Sequence, residues 1–273
     1  MTTRHLDIGT SQLLASVTGH VATLVMNNPA KRNALSADLG AGLARALDLA
    51  EADPDVRVVV LTGAEGAFCA GGDISTMGDA LTGGAPDVDA MVARLRRSQE
   101  TLSLRVYEFP KPVIAALPGA AAGAGMSLAL ACDLRIAATS GFLAPAFGAI
   151  AASGDFGGSW YLTQLVGPGR AKEIYFSSRR IGAEEGLALG LFNKITPDVD
   201  FAAATAAYAE QFAQQAPIAL RCMKENINRA ATADLRSALA AEATGMIRTL
   251  LSDDHKAAAQ AFFEKRKPSF KGS

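Results

Sequence analysis

The tightest constraint in this 273-residue chain is an alternation of short apolar runs with helical patterns, which asks for strands buried among helices. "VRVVVLTG" gives a buried strand at 56–62 ended by Gly63, "KPVIAAL" a second at 112–117, and "DLRIAAT" a third at about 133–138. Before them, "LLASVTGHVATLVMNN" (13–28) reads as two β runs around a Gly-His turn, a hairpin. Between hairpin and strand, Ser36 can cap a helix running to about Ala52, with Leu39, Leu43 and Leu47 on one face. The order strand, helix, strand predicts a single α/β domain, and the chain is long enough for one sizeable core plus an appended helical part.

The rest of the chain extends this pattern. "GAFCAGGDISTMGDALTGGAPDVD" is rich in glycine and poor in periodicity, a loop with a short helix inside it. A helix carrying Met91, Leu95 and Leu102 follows, then short helices at about 158–166, 170–178 and 183–189, and a last strand in "LFNKITP". From Asp200 every pattern is helical, with Pro217 at a first-turn position. The domain reading is therefore a core over 1–199 and a helical subdomain over 200–273.

Charge and composition exclude several classes of function. With 26 Lys and Arg against 27 Asp and Glu, no overall field points to nucleic acid or a membrane surface. No apolar run reaches the roughly 18 residues of a membrane span, and the first residues lack the apolar stretch of a signal peptide. Cys69, Cys132 and Cys222 are odd in number and lack metal-site spacing, so they read as reduced, buried thiols in a cytoplasmic protein.

Two loops carry the chemistry. "CAGGD" (69–73) and "GAGMS" (123–127) each follow a buried strand, and each offers bare backbone amides at a place where a ligand oxygen can approach. Brought together, they would form a two-amide oxyanion hole. The second loop is not a dinucleotide fingerprint, because Leu128 stands where glycine or alanine is required. A serine hydrolase built on Ser127 lacks a base, since His5, His20 and His255 all lie far along the chain from the glycine loops. Ser127 is expected to cap or back-bond within its helix.

Five segments in order, "NNPAKRNAL", "VRVVVLTGAEGAFCAGGDI", "KPVIAALPGAAAGAGMSLALACDLRIA", "FGGSWYLTQLVGPGRAKE" and "AEEGLALGLFNKI", make the chain resemble the enoyl-CoA hydratase/isomerase (crotonase) superfamily over nearly its full length. The resemblance implies a ββα spiral core, C-terminal helices that build a homotrimer or dimer of trimers, an acyl-CoA thioester as substrate, and no cofactor beyond the coenzyme A that the substrate brings. It puts the oxyanion amides at Gly72 and Ala124, the adenine along Ala70, Gly72 and Ile74, and the phosphates near Lys31, Arg32 and Lys265. Ser127 and Phe147 fall in the acyl pocket.

Departures from the family pattern set the expected reaction. Hydratases of the family use two glutamates, and those positions are Ser127 and Phe147 here; neither side chain can serve as the acid–base pair. Asp155 of "SGDFGG" matches the aspartate of double-bond isomerases and of isomerases acting on ring-derived CoA esters. The expected activity is therefore isomerisation of an acyl-CoA through a thioester enolate, with Asp155 carrying the proton. An enoyl-CoA hydratase, a CoA-thioester hydrolase or a non-catalytic acyl-CoA-binding protein are the competing readings.

Overall fold

The computed structural model describes residues 2–73 and 87–273. The short helix expected inside the glycine-rich loop, and Ile74, lie outside these residues.

The expected hairpin is β2 (Leu13–Thr18) and β3 (Val21–Met26), paired from Leu13↔Met26 to Thr18↔Val21. An unforeseen strand, β1 (Thr3–Leu6), pairs antiparallel with β2. From β3 the sheet continues in parallel through β4 (Val58–Gly63), β6 (Val113–Leu117), β8 (Leu134–Ala138) and β11 (Lys194–Thr196), in the order β1-β2-β3-β4-β6-β8-β11. The period of two sorts the central strands onto two faces. Val59, Leu61, Val113, Ala115 and Leu117 enter the main core with Leu39, Leu43 and Leu47 of α1 (Ala37–Ala52). Val58, Val60, Ile114, Ala116 and Ile136 face the other way, against Ala209 and Ala213. Both faces are covered, which is why these strands read as unbroken apolar runs. Ser36 caps α1 as its sequence suggests, its side chain accepting from the Leu39 N–H.

A second sheet of four very short strands, ordered β10-β9-β7-β5, crosses the ends of the first. It contains β5 (Ala67–Cys69), β7 (Ala120–Ala122), β9 (Phe142–Ala144) and β10 (Ile181–Gly182). Each of β5, β7 and β9 follows a long parallel strand after a corner of a few residues, so the chain winds as repeated strand–strand–helix turns. The corners are tight enough to require glycine: a β-carbon on Gly63 would overlap the Ala67 carbonyl oxygen, and one on Gly119 the Gly66 carbonyl oxygen.

Helices fill the remaining layers. α2 (Val88–Gln99) runs on through a π turn at Glu100–Leu104 to Tyr107. α3 (Ala124–Ala131) is buried on every side. α4 (Gly158–Ser177) is broken at Gly167 (φ 76°, ψ 162°) and restarts at Pro168, which yields the two helices the pattern predicts. After α5 (Ala183–Ala188) and β11 come α6 (Phe201–Ala213), which supplies Ala209 and Ala213 to the sheet, then α7 (Pro217–Ala230), α8 (Leu235–Leu250) and α9 (Asp253–Phe263). Asp133 ties this end to the sheet: its carboxylate accepts from the Val113 N–H at 2.7 Å and from Lys224 Nζ of α7 at 2.8 Å.

Candidate active site

Parallel strands β5 and β7 deliver the two glycine loops side by side. Leu35 forms an isolated bridge to Gly72, with the Leu35 N–H donating to the Gly71 carbonyl at 2.7 Å and the Asp73 N–H donating to the Leu35 carbonyl at 3.3 Å. Residues 71 and 73 therefore spend their ladder groups on Leu35, and the Gly72 N–H, one residue out of phase, points the opposite way. On the other loop Gly123 adopts φ 52° and ψ −126°, a turn that suits glycine, and its N–H donates to the Ala144 carbonyl. Ala124 is the first residue of α3, where a backbone N–H has no acceptor within the helix. Its φ is not positive, so alanine fits there without strain. A β-carbon on Gly71 would lie 3.5 Å from the Ala124 nitrogen, and one on Gly125 would overlap the Cys69 carbonyl oxygen. The start of α3 thus rests directly on the end of β5, which holds the Gly72 and Ala124 amides close together.

Deeper along α3 lies a cluster of aromatic and polar groups. Ser127 is fully buried, and its Oγ donates to the Gly123 carbonyl at 3.3 Å, the back-bond expected of it. Phe147 packs its ring on Tyr175, with centroids 5.9 Å apart and planes at 20°, and its edge lies 3.7 Å from where a Gly123 β-carbon would be. Gly158 opens α4 against this cluster: a β-carbon there would overlap Ser127 Oγ and stand 2.5 Å from Tyr175 Oη. Asp155 sits just before it, in a loop whose backbone takes positive φ at Gly154, Phe156 and Gly157. The Phe156 N–H donates to Gln99 Oε1 at 3.0 Å, pinning the loop to α2. Asp155 Oδ1 is buried and receives no hydrogen bond, and burial pushes its carboxyl up to about 6. Tyr175 Oη is likewise buried and makes no hydrogen bond of ordinary geometry; burial, with the Asp155 charge adding, pushes its phenol up to about 12, while the Ser127 hydroxyl beside it opposes the rise.

Paired backbone amides can polarise a carbonyl, and a half-buried carboxyl group of raised pKa can move a proton near neutral pH. A family model described as enoyl-CoA hydratase/isomerase matches residues 16–273. The chain belongs to this family. A short-chain-enoyl-CoA hydratase from Clostridium acetobutylicum is 36% identical over 251 residues, covering 91% of this chain and 93% of the relative. A 1,2-epoxyphenylacetyl-CoA isomerase from Escherichia coli is 34% identical over 260 residues, covering 95% and 98%. The crystal structure of an enoyl-CoA hydratase from Polaromonas superposes with a TM-score of 0.89 at 34% identity, covering 94% of this chain and 99% of that one. The fold is therefore the α/β crotonase fold of the enoyl-CoA hydratase/isomerase family.

Within that fold the residues singled out from sequence fall into two groups. Gly72 and Ala124 lie on the two glycine loops, Ser127 and Phe147 lie against Gly123, and Asp155 acts on Tyr175 of the same cluster. Ala70 is exposed at the lip of the first loop, its N–H donating to the Arg32 carbonyl at 3.0 Å. Lys31 and Arg32 lie on the turn beside it; Lys31 Nζ pairs with Asp73 Oδ2 at 2.6 Å, and Arg32 takes a left-handed φ of 48°. Lys265 is exposed just beyond α9, and among the described residues no hydrogen bond or ion pair joins it to that turn. Two further residues carry the site, Asn33 inside the "NNPAKRNAL" segment and Tyr175 outside every quoted segment. Asn33 is fully buried, and its Nδ2 donates to the carbonyls of Ala64 and Ala67 while its Oδ1 accepts from the Asn28 N–H, which fixes the corner into β5. Tyr175 hides in a half-helix whose buried residues Ala171 and Ile174 read as ordinary packing; one aromatic hydroxyl on that face was the only signal. All three cysteines are buried and unpaired, and burial pushes the Cys69 and Cys132 thiols up to about 12. Among the described residues no helix is long and apolar enough to cross a membrane, and no group of three or more His, Cys, Asp or Glu could hold a metal ion.

Proposed function

We propose that the chain is an acyl-CoA isomerase that shifts a double bond, or rearranges a ring-derived acyl group, through a thioester enolate. The observation that carries this reading is Asp155: a half-buried carboxyl with one unpartnered buried oxygen, raised to about 6, on a loop that packs against Phe147 and Tyr175. The thioester oxygen sits on the N–H groups of Gly72 and Ala124, which stabilise the negative charge that develops there; one such donor contributes about 3 kcal/mol to the transition state. Asp155, ionised at neutral pH, takes a proton from the carbon next to the thioester, giving a dienolate and a neutral carboxylic acid. The carboxylic acid so formed gives a proton, exchangeable with solvent, to the far end of the conjugated system, so the double bond moves and no water is added. Ser127 and Phe147, at the hydratase glutamate positions, leave Asp155 as the acid–base group of this pocket.

On this reading the coenzyme A adenine lies along Ala70 and Gly72, with the phosphates met by Lys31 and Arg32 and by Lys265 from a neighbouring subunit of a homotrimer or dimer of trimers. The reaction uses no cofactor beyond the coenzyme A of the substrate. A hydratase is the second reading, favoured by the names of most relatives, the Clostridium acetobutylicum enzyme among them.

Incubation in D₂O with 2-enoyl-, 3-enoyl- and dienoyl-CoA esters, read by mass spectrometry, separates the two. Isomer formation with deuterium uptake and no gain of water mass, abolished in Asp155→Asn, is the expected result. A gain of water mass moves the assignment to hydratase, and full turnover in Asp155→Asn removes Asp155 from the mechanism.

A further inference from the structure

Tyr175 holds a hydroxyl that the packing does not need. Its ring is already accounted for by Phe147 stacked on one face and by Gly154, where a β-carbon would stand 3.1 Å from Tyr175 Cε1. Phenylalanine would fill the same space, and a buried O–H with no partner is a cost that native interiors rarely carry without a reason. Among the described residues Oη makes no hydrogen bond of ordinary geometry, although the Ser127 hydroxyl stands near enough for a weak one and the missing side chain of Gly158 leaves both groups uncovered. Ser127 spends its own proton on a long 3.3 Å bond to the Gly123 carbonyl, so its oxygen still has a lone pair to offer. Side by side, the two groups present one donor and one acceptor to whatever lies between α3 and the Asp155 loop.

From this pairing we infer that Tyr175 and Ser127 form an oxygen-binding subsite of the acyl pocket, which selects acyl-CoA esters carrying a carbonyl, hydroxyl or ether oxygen at about C3 to C5. A carbonyl or ether oxygen accepts from Tyr175; a hydroxyl does so and donates to Ser127 as well. The position follows from the helix. Ser127 comes three residues after Ala124, about 4.5 Å further along the helix axis than the amide that holds the thioester oxygen, the reach of an acyl chain from that oxygen to those carbons. The inference rests on the acyl-CoA reading above and adds the chemical class of the acyl group.

The test uses ligands with no double bond to move, so that it does not depend on turnover. Hexanoyl-CoA, 4-oxohexanoyl-CoA and free coenzyme A are titrated calorimetrically into the wild-type protein and into Tyr175→Phe. The expected result is binding of the 4-oxo ester about tenfold or more tighter than hexanoyl-CoA by the wild type, with the two within about twofold in Tyr175→Phe. Tyr175→Phe melts no lower than the wild type, because only an unpaired hydroxyl has been removed. Equal binding of the two esters by the wild type, or a preference that survives Tyr175→Phe, overturns the subsite. If neither ester binds more tightly than free coenzyme A, the acyl-CoA reading itself fails and the subsite with it, a pattern distinct from equal but tight binding. Both comparisons are complete in the wild type alone, so a poorly folded variant does not shelter the idea.

Discussion

Asp155 couples activity and stability through one cause, the loss of water around its carboxylate. With its carboxyl at about 6 instead of the usual 3.8, the base form needed for proton removal appears only as pH rises through that value. We expect kcat/KM for isomerisation to fall about tenfold per pH unit below about 6 and to level off above it. A flat profile between pH 4.5 and 8 would remove Asp155 as the base. The stability effect has the opposite sign. Between about pH 4 and 6 the folded protein holds a proton on Asp155 that the unfolded chain has lost, so Asp155 makes stability fall as pH rises through that window. Asp155→Asn removes the charged form. It is expected to lose about 10³-fold in kcat while gaining about 1–2 kcal/mol of stability at pH 8, after discounting for the exposed part of the group, and to gain nothing near pH 4. Thermal melts at the two pH values check the sign.

Among the elements, the contact that sets the amide pair is α3 lying on the end of β5. Gly125→Ala would drive a methyl group into the Cys69 carbonyl oxygen, which is backbone and cannot turn aside. Pushing α3 away costs about 1–3 kcal/mol of stability and separates the Gly72 and Ala124 amides, so turnover should fall by about 10²-fold even in protein that remains folded. Normal kcat in Gly125→Ala would mean that the spacing of the two loops is not what positions the thioester. Asn33 guards the same corner from the other side. Asn33→Ala removes the side-chain donor to the Ala64 and Ala67 carbonyls, leaving Ala64 only a long 3.4 Å bond from the Ala67 N–H, and should lower the stability measured in urea by about 1–3 kcal/mol. How legible these elements are in sequence depends on length and on partners. β4, β6 and β8 carry five or six residues each and declare themselves by apolar runs, broken in β8 only by Arg135. β5, β7 and β9 have three residues each, too few for any period, and only the glycines at their corners mark them. Asp155 was visible as a lone carboxylate in a loop of the family pattern; Tyr175 was not, because its role depends on α4 bending at Gly167 and folding back on Ser127, a relation no local window contains.

The molecule as a whole exposes apolar surface that a single chain has no means to cover. α8 buries none of its residues, and Leu239, Met246, Ile247 and Leu251 are each more than half exposed, with Phe262 and Phe263 at 80% and 82%. The core gains nothing from these side chains, whereas α6, packed on the sheet, buries Thr205, Ala209 and Ala213. Helices of this kind are stable when a second copy covers the apolar stripe, and closed rings of identical chains do so without leaving an unmatched face. The homotrimer proposed above therefore predicts a mass of about 85 kDa by light scattering, three times the 28.2 kDa chain, or twice that for a dimer of trimers. Replacing Phe262 and Phe263 together by lysine places two charges in the covered stripe and should dissociate the assembly to single chains. Lys265 stands two residues after Phe263, so the same variant should raise KM for acyl-CoA esters if the neighbour supplies that lysine to the phosphates. A wild-type mass of one or two chains would sink the trimer. A dissociated variant with unchanged KM would keep the trimer and remove Lys265 from the neighbouring site.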